Sequence, residues 1–272
     1  MGLLLRRLGF EVTVATAIGN DFGDARLQQL LKSGLRFLAP PVTDSPTTRF
    51  DITFLWDQRA MRLVSKCAPV PPPRTGAGDF DIVLVNPVAG EVAPESIPRY
   101  KSVSKFLYLD PQGFLRVFRE GTVFLSDNPQ LRSSLRMVDA IKVDLEEGKV
   151  LTGNDEPAAI ASTFSRLGVK ETIVTAGRDG VYLRAGGFLY FLKPPEVQPF
   201  DGVGAGDMLG AAYSASRVTA SPPESLAFAV ACATCRIDQP GLDKVPTAKQ
   251  AQEAAAPLRK EVRVLTAAPE SR

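Results

Sequence analysis

The chain has 272 residues, 44% hydrophobic and 23% charged, a mix that excludes wholesale disorder, a coiled coil and a disulfide-stapled miniprotein. Lys and Arg number 32 against 30 Asp and Glu, and a net charge of +2 is too balanced to gather a polyanion, so neither a nucleic-acid nor a membrane partner is expected. Histidine is absent, which removes every Ser-His-Asp or Cys-His nucleophile and every His-ligated metal; three cysteines are too few for a disulfide framework.

No run reaches the roughly 18 apolar residues of a membrane span, Leu3-Leu4-Leu5 being broken by Arg6 and Arg7, and no signal peptide is read. A cytoplasmic protein is expected. Glu11 to Ile18 reads as a strand. Ala25 to Ser33 reads as a helix with Leu27, Leu30 and Leu31 on one face and Gly34 as its stop. Thr48 to Ser65 alternates apolar and polar residues as a hairpin standing off the main sheet, a lid whose insertion spans about 46–66. Its Phe54 and Trp56 serve either as half-buried sheet residues or as a cover for a ligand. Pro69 to Gly78 is a stiff connector, and its Gly76-Ala77-Gly78-Asp79 lacks a following helix.

Asp81 to Asn86, Lys105 to Asp110, Asp139 to Asp144 and Glu171 to Ala176 repeat the pattern of buried strands alternating with helices, so an α/β fold with a mostly parallel sheet flanked by helices is expected. Ligands collect at the carboxyl ends of such strands, which makes Asn86, Asp110, Asp144 and Thr175 site candidates. Ser221-Pro222-Pro223-Glu224 opens a helix. Cys232 and Cys235 lie inside it and read as packed thiols, with no second pair for zinc. The tail from Ala251 is expected to form one last helix with a frayed end.

Residues 201–207 read Asp-Gly-Val-Gly-Ala-Gly-Asp and run into a helical stretch from Met208 to Tyr213. Glycines at a helix start bring main-chain N–H groups close to an anion, so the segment is a phosphate or oxyanion cradle. It lacks the Lys-Ser/Thr of a Walker A loop and lies too late for a dinucleotide fingerprint. Asp207 inside this turn either takes a proton from an attacking hydroxyl or caps the helix.

Gly204-Ala205-Gly206-Asp207, with Asp201 before it and the Ala-rich helix after it, resembles the PfkB (ribokinase-like) family of carbohydrate kinases. Further features follow the family order: Leu8 to Val12, Ile18 to Gly23, the Asp144-Leu145-Glu146-Glu147 segment where the family carries Asn-x-x-Glu, Thr175-Ala176-Gly177-Arg178-Asp179-Gly180 resembling T-x-G-x-x-G, and Pro240-Gly241 near a late glycine. The resemblance implies Asp207 as catalytic base, with the amides of Gly204, Ala205, Gly206 and Asp207 stabilising the transferring phosphoryl group. It implies ATP held by Thr175, Gly177, Gly180 and Gly241. It implies Mg²⁺ near Glu147 and Asp144, a monovalent cation being a further candidate. From the residues alone, Asp144 and Glu147 fit a capping box equally well, and Thr175 to Gly180 an ordinary turn ahead of Val181 to Leu192.

Asp110-Pro111-Gln112-Gly113-Phe114-Leu115-Arg116, Asn86-Pro87 and Lys142-Val143-Asp144 resemble the inositol-kinase-like members. This implies a polyol substrate, myo-inositol first, met by Asn86, Asp110, Gln112, Arg116 and Asp207; Asp110 and Arg116 fit strand-end salt bridges equally well. Nucleosides, ribose and ketodeoxygluconate are the next acceptors, and ATP and ADP stay open as donors. By the same resemblance the chain is expected to be a single ribokinase-like domain, 1–272, and a homodimer paired through lid strand edges is implied as a candidate. The family's first strand and Gly-Gly helix start, on the order of thirty residues, have no counterpart here, for which a misplaced start codon or a truncated gene is the expected reason. That absence and Gly202 in place of a family threonine leave a nucleotide-binding member without activity as the competing reading. An oxidoreductase is set aside for want of an early G-x-G-x-x-G unit.

Overall fold

Apolar residues that alternate along the central strands send odd and even positions to opposite faces of one sheet, and both faces are covered by helices. The computed structural model describes residues 1–55, 58–73, 80–197, 202–237 and 245–267. In chain order the first elements are α1 (Gly2–Arg7), β1 (Thr13–Val14), β2 (Ile18–Gly19), α2 (Asp24–Lys32), β3 (Arg36–Phe37), β4 (Val42–Thr43), β5 (Arg49–Leu55), β6 (Gln58–Ser65) and β7 (Phe80–Val85). There follow α3 (Ile97–Ser102), β8 (Ser104–Leu109), α4 (Gln112–Leu115), β9 (Arg116–Arg119), β10 (Thr122–Leu125), α5 (Pro129–Ser134), β11 (Ala140–Asp144), α6 (Leu145–Thr152) and α7 (Pro157–Arg166). The chain continues through β12 (Glu171–Thr175), β13 (Val181–Ala185), β14 (Phe188–Leu192), α8 (Ala205–Ser216), α9 (Pro222–Ile237), α10 (Ala248–Leu258) and β15 (Arg263–Ala267).

The main sheet has seven strands in the order β15-β14-β13-β12-β11-β8-β7. Strands β7, β8, β11 and β12 pair parallel and β12 to β15 pair antiparallel, so five of the seven strands run in one sense and β13 and β15 in the other. The antiparallel pairing arises because β12 is followed by a hairpin instead of a helix. Tyr108, Ala140 and Ile173 face α1, α8, α9 and α10, while their neighbours Leu107, Ile141 and Val174 face α3, α5, α6 and α7.

Three expectations need correction. The lid is a four-stranded antiparallel sheet, β5-β6-β10-β9, not a single hairpin, because residues 116–125 fold back and β10 joins β6. The strand expected over Glu11 to Ile18 is broken into two short pairings, β1 with β3 and β2 with β4. The tail carries an edge strand, β15, after its helix. Helix α2 forms as expected, yet none of its residues is buried. Trp56, Gly76 to Asp79, Asp201 and Gly241 lie outside the described residues.

Helix α8 sits unusually close to the sheet. A Cβ on Gly210 would lie 2.0 Å from the Tyr108 hydroxyl, and that hydroxyl is buried without a hydrogen-bond partner. Gly210→Ala is therefore expected to lower stability by about 1–3 kcal/mol through overpacking. Tyr108→Phe is expected to raise it by about 1 kcal/mol by removing an unsatisfied buried hydroxyl. Urea denaturation of both variants checks the pair, and a neutral Gly210→Ala would show that α8 can lift from the sheet at no cost.

Candidate active site

The site lies where the ends of β7, β8, β11 and β12 meet the first turn of α8. Gly204 caps that helix with φ +83°, a left-handed conformation that glycine adopts without strain, and no side chain caps it. The first-turn N–H groups of an α-helix lack intrahelical acceptors and favour an anion. Of these, Ala205 donates to the Gly202 carbonyl at 3.3 Å.

Asp207 stands in this turn and makes no cap. Its Oδ1 accepts from Asn86 Nδ2 at 2.8 Å, just past the end of β7. Asn86 Oδ1 in turn accepts from Gln112 Nε2 at 2.9 Å, and Gln112 Oε1 accepts from Arg116 Nη2 at 2.6 Å. Arg116 also donates to the Val88 carbonyl at 2.9 Å and stacks over the Phe50 ring of the lid at 5.6 Å. Four residues singled out from the sequence thus form one connected series.

Beneath the turn is a buried charge cluster. Lys142 Nζ lies 3.1 Å from Asp110 Oδ2 and 3.8 Å from Glu147 Oε2, and would be 3.2 Å from a Cβ on Gly206. Burial works against the Lys142 ammonium, but Asp110, Glu147 and Asp144 outweigh it and hold it protonated, above the ordinary lysine range. Burial pushes the Asp110 carboxyl up, with the Asp207 charge adding to the effect against the pull of Lys142. Burial also pushes Glu147 up, to about 7. Lys142 was not singled out as a site residue from the sequence; its signal is a lysine within an otherwise apolar strand.

Asp144 and Glu147 form the full capping box of α6: Glu147 N–H donates to Asp144 Oδ1 at 2.8 Å, and Asp144 N–H donates to Glu147 Oε2 at 2.9 Å. One carboxylate oxygen of each stays outside the box. These hard donors suit Mg²⁺, which is held by a few carboxylates together with water and substrate phosphates. Among the described residues no three His, Cys, Asp or Glu converge on one point.

On the other side of the turn is a cavity of about 740 Å³. Thr175, Gly177, Ala205 and Gly206 line it at the turn; Val181, Leu209, Val230, Ala233 and Ile237 form apolar walls; Arg178, Lys193 and Glu196 add charge. Gly180 does not line it and instead holds the turn against Phe191. Cys232 is buried in α9, its thiol pushed up to about 12 by burial, as packing rather than chemistry requires.

Residues 120–248 match the family model of the pfkB family carbohydrate kinases. The chain is 30% identical over 214 residues to an inositol 3-kinase of Zea mays, a match covering 74% of this chain and 52% of that protein. The chain spans about half the length of the curated relatives it matches. Its fold is ribokinase-like: it superposes with a TM-score of 0.80 on a pyrophosphate-dependent myo-inositol-1 kinase converted into a myo-inositol-3 kinase, at 23% identity over 94% of this chain and 88% of the other. Arabidopsis thaliana ribokinase complexed with ribose and ATP gives a TM-score of 0.73 at 20% identity, covering 94% and 85%. No helix among the described residues is long and apolar enough to cross a membrane.

The folded protein holds a proton on Glu147 that the unfolded chain, with its carboxyl at the ordinary 4.5, has released between pH 4.5 and about 7. The stability tied to this group is present in full below pH 4.5 and is lost as pH rises through about 7. The stability difference between the native chain and Glu147→Gln should therefore fall by up to about 3 kcal/mol across that window. Urea titrations at a series of pH values check this, and a flat difference would mean that Glu147 ionises as it does in water.

Proposed function

We propose that the protein transfers the terminal phosphoryl group of MgATP to a hydroxyl of a small polyol, myo-inositol first. The observation that carries the reading is the placement of Asp207: the α8 turn has Ala205 and Gly206 on the cavity side and Asp207 on the side of Asn86. A donor in the cavity and an acceptor at the strand ends would meet across that turn. The inositol 3-kinase relatives and the polyol-kinase fold neighbours support the acceptor class.

In the proposed reaction, the Asp207 carboxylate takes the proton of the acceptor hydroxyl as its oxygen forms the new bond to the γ-phosphorus. The bond from that phosphorus to the bridging oxygen breaks, and its electron pair leaves on ADP. The first-turn amides of α8 face the charge carried by the phosphoryl oxygens. Bound Mg²⁺ supplies charge neutralisation on the donor phosphates, with Asp144 and Glu147 to hold it. Asp110, almost fully buried and fixed by Lys142, offers a carboxylate to an acceptor hydroxyl.

A second donor, pyrophosphate, is raised by the fold neighbour that uses it. The apolar walls of the cavity favour a nucleoside, since pyrophosphate has no apolar part to bury. The experiment is a phosphoryl-transfer assay with ATP, GTP and pyrophosphate against myo-inositol, nucleosides and common sugars. ATP-dependent turnover with an inositol that falls by about 10²–10⁴ in Asp207→Asn is the expected result. Full rate in Asp207→Asn would overturn the base assignment, and turnover with pyrophosphate alone would overturn the donor.

Two finer features belong to the same reading. Cys67 and Cys232 are buried thiols outside any disulfide, which supports a reducing, cytoplasmic setting. Val64, Val117 and Phe124 of the lid sheet are 56%, 40% and 48% exposed, which supports pairing of two chains through their lids. Sedimentation is expected to give a dimer for the native chain and a monomer for Phe124→Glu; a native monomer would sink the pairing.

A further inference from the structure

The series from Asp207 to Phe50 has a fixed polarity. A carboxylate at one end only accepts hydrogen bonds, and a guanidinium at the other only donates. Asn86 must therefore turn its NH₂ to Asp207, and Gln112 must turn its carbonyl to Arg116; only then does Gln112 Nε2 meet Asn86 Oδ1. Neither amide can flip without two clashes of like polarity. Gly113 holds the α4 turn against the Pro87–Val88 backbone that follows β7, where a Cβ would clash with the Pro87 carbonyl. That contact brings Gln112 within reach of Asn86.

Taking Asp207 as the base of the preceding reading, we propose that Gln112 and Arg116 are positioning residues that act through Asn86 on Asp207 and tie its orientation to the lid residue Phe50. Asn86 engages Oδ1, and so leaves Oδ2, the oxygen on the Gly204 side, to take the proton. Arg116 spans the lid ring and the Val88 carbonyl, so a shift of the lid moves the guanidinium, and through two amides it moves the carboxylate. Displacing a reacting group by about 1 Å costs on the order of 10²-fold in rate.

The test uses Gln112→Met, Gln112→Glu and Phe50→Leu in the full chain. Both Gln112 variants lose the donor to Asn86, while Glu keeps an acceptor for Arg116. Both are expected to lower kcat by about 10- to 100-fold with the polyol KM nearly unchanged, and Phe50→Leu to lower kcat less, in the same direction. In the Asp207→Asn background Gln112→Met should cause no further loss, because its route to the reaction is already cut. A raised polyol KM with kcat kept, or a Gln112→Met loss that persists in Asp207→Asn, would make Gln112 a substrate contact and overturn the proposal. The Asn86 side-chain amide signals in a ¹⁵N-edited NMR spectrum report the same linkage without turnover. They should move in Asp207→Asn, and in the same direction in Gln112→Met and Phe50→Leu. Unmoved signals in the last two would refute the linkage even if the native chain phosphorylates nothing, an outcome that by itself would count only against the kinase reading. If Gln112→Met does not fold, Phe50→Leu carries both measurements.

Discussion

The approach of α8 to the sheet over Lys142 is the contact on which the rest of the site depends. An ammonium buried this deeply is tolerable only when paired, and it is paired with Asp110 and lies near Glu147. Removing one member of such a cluster strands the others in a poorly solvated place, which is far costlier than never having buried them. The helix above has glycine at 206 and 210, over Lys142 and Tyr108, so its first turn can settle on the strand ends. A bulkier stripe there would lift Asp207 away from Asn86.

That turn divides two environments of different chemistry. Toward β13 and α9 the walls are apolar, suited to a flat ring with little charge. Toward β7 and β8 they are carboxylates, amides and a guanidinium, suited to hydroxyls. A phosphoryl group passing between them would meet main-chain N–H groups, which need no reorganisation as charge moves. The parallel strands supply the polar side, because parallel strands end together at one edge; the start of β13 and the segment that follows β14 line the apolar side.

Much of this was legible in the sequence for a simple reason: each buried strand ends where its apolar run ends, so Asn86, Asp110, Asp144 and Thr175 could be placed without coordinates. The Asp144–Glu147 box and the Gly204–Asp207 turn are local patterns and were legible likewise. What escaped depends on contacts distant in sequence. Arg116 to Leu125 gives two four-residue strands too short to stand out, and only their pairing with β6 makes them part of the lid; the Glu120-Gly121 turn, with φ +51° and +83°, was the available signal. The role of Lys142 depends on Asp110, 32 residues away. Gln112 and Arg116 entered as substrate contacts through the resemblance, and their bonds to one another and to Asn86 depend on a fold that the sequence does not display.

A neutral polyol offers no net charge by which to be steered, so discrimination among its similar hydroxyls must come from donors and acceptors held in fixed orientation. A free asparagine or glutamine amide presents either face and reads little. Here Asp207 and Arg116 lock both amides in one sense, and Lys142 holds Asp110 in one place, so on the proposed reading the groups that face an acceptor are held from behind in one orientation. Rigidity of that kind costs little when the anchors are charged groups already required, one for the proton and one for the lid. If Asp207 is the base, a connected network on the polar side of the site orients it in a way that a set of separate contacts would not.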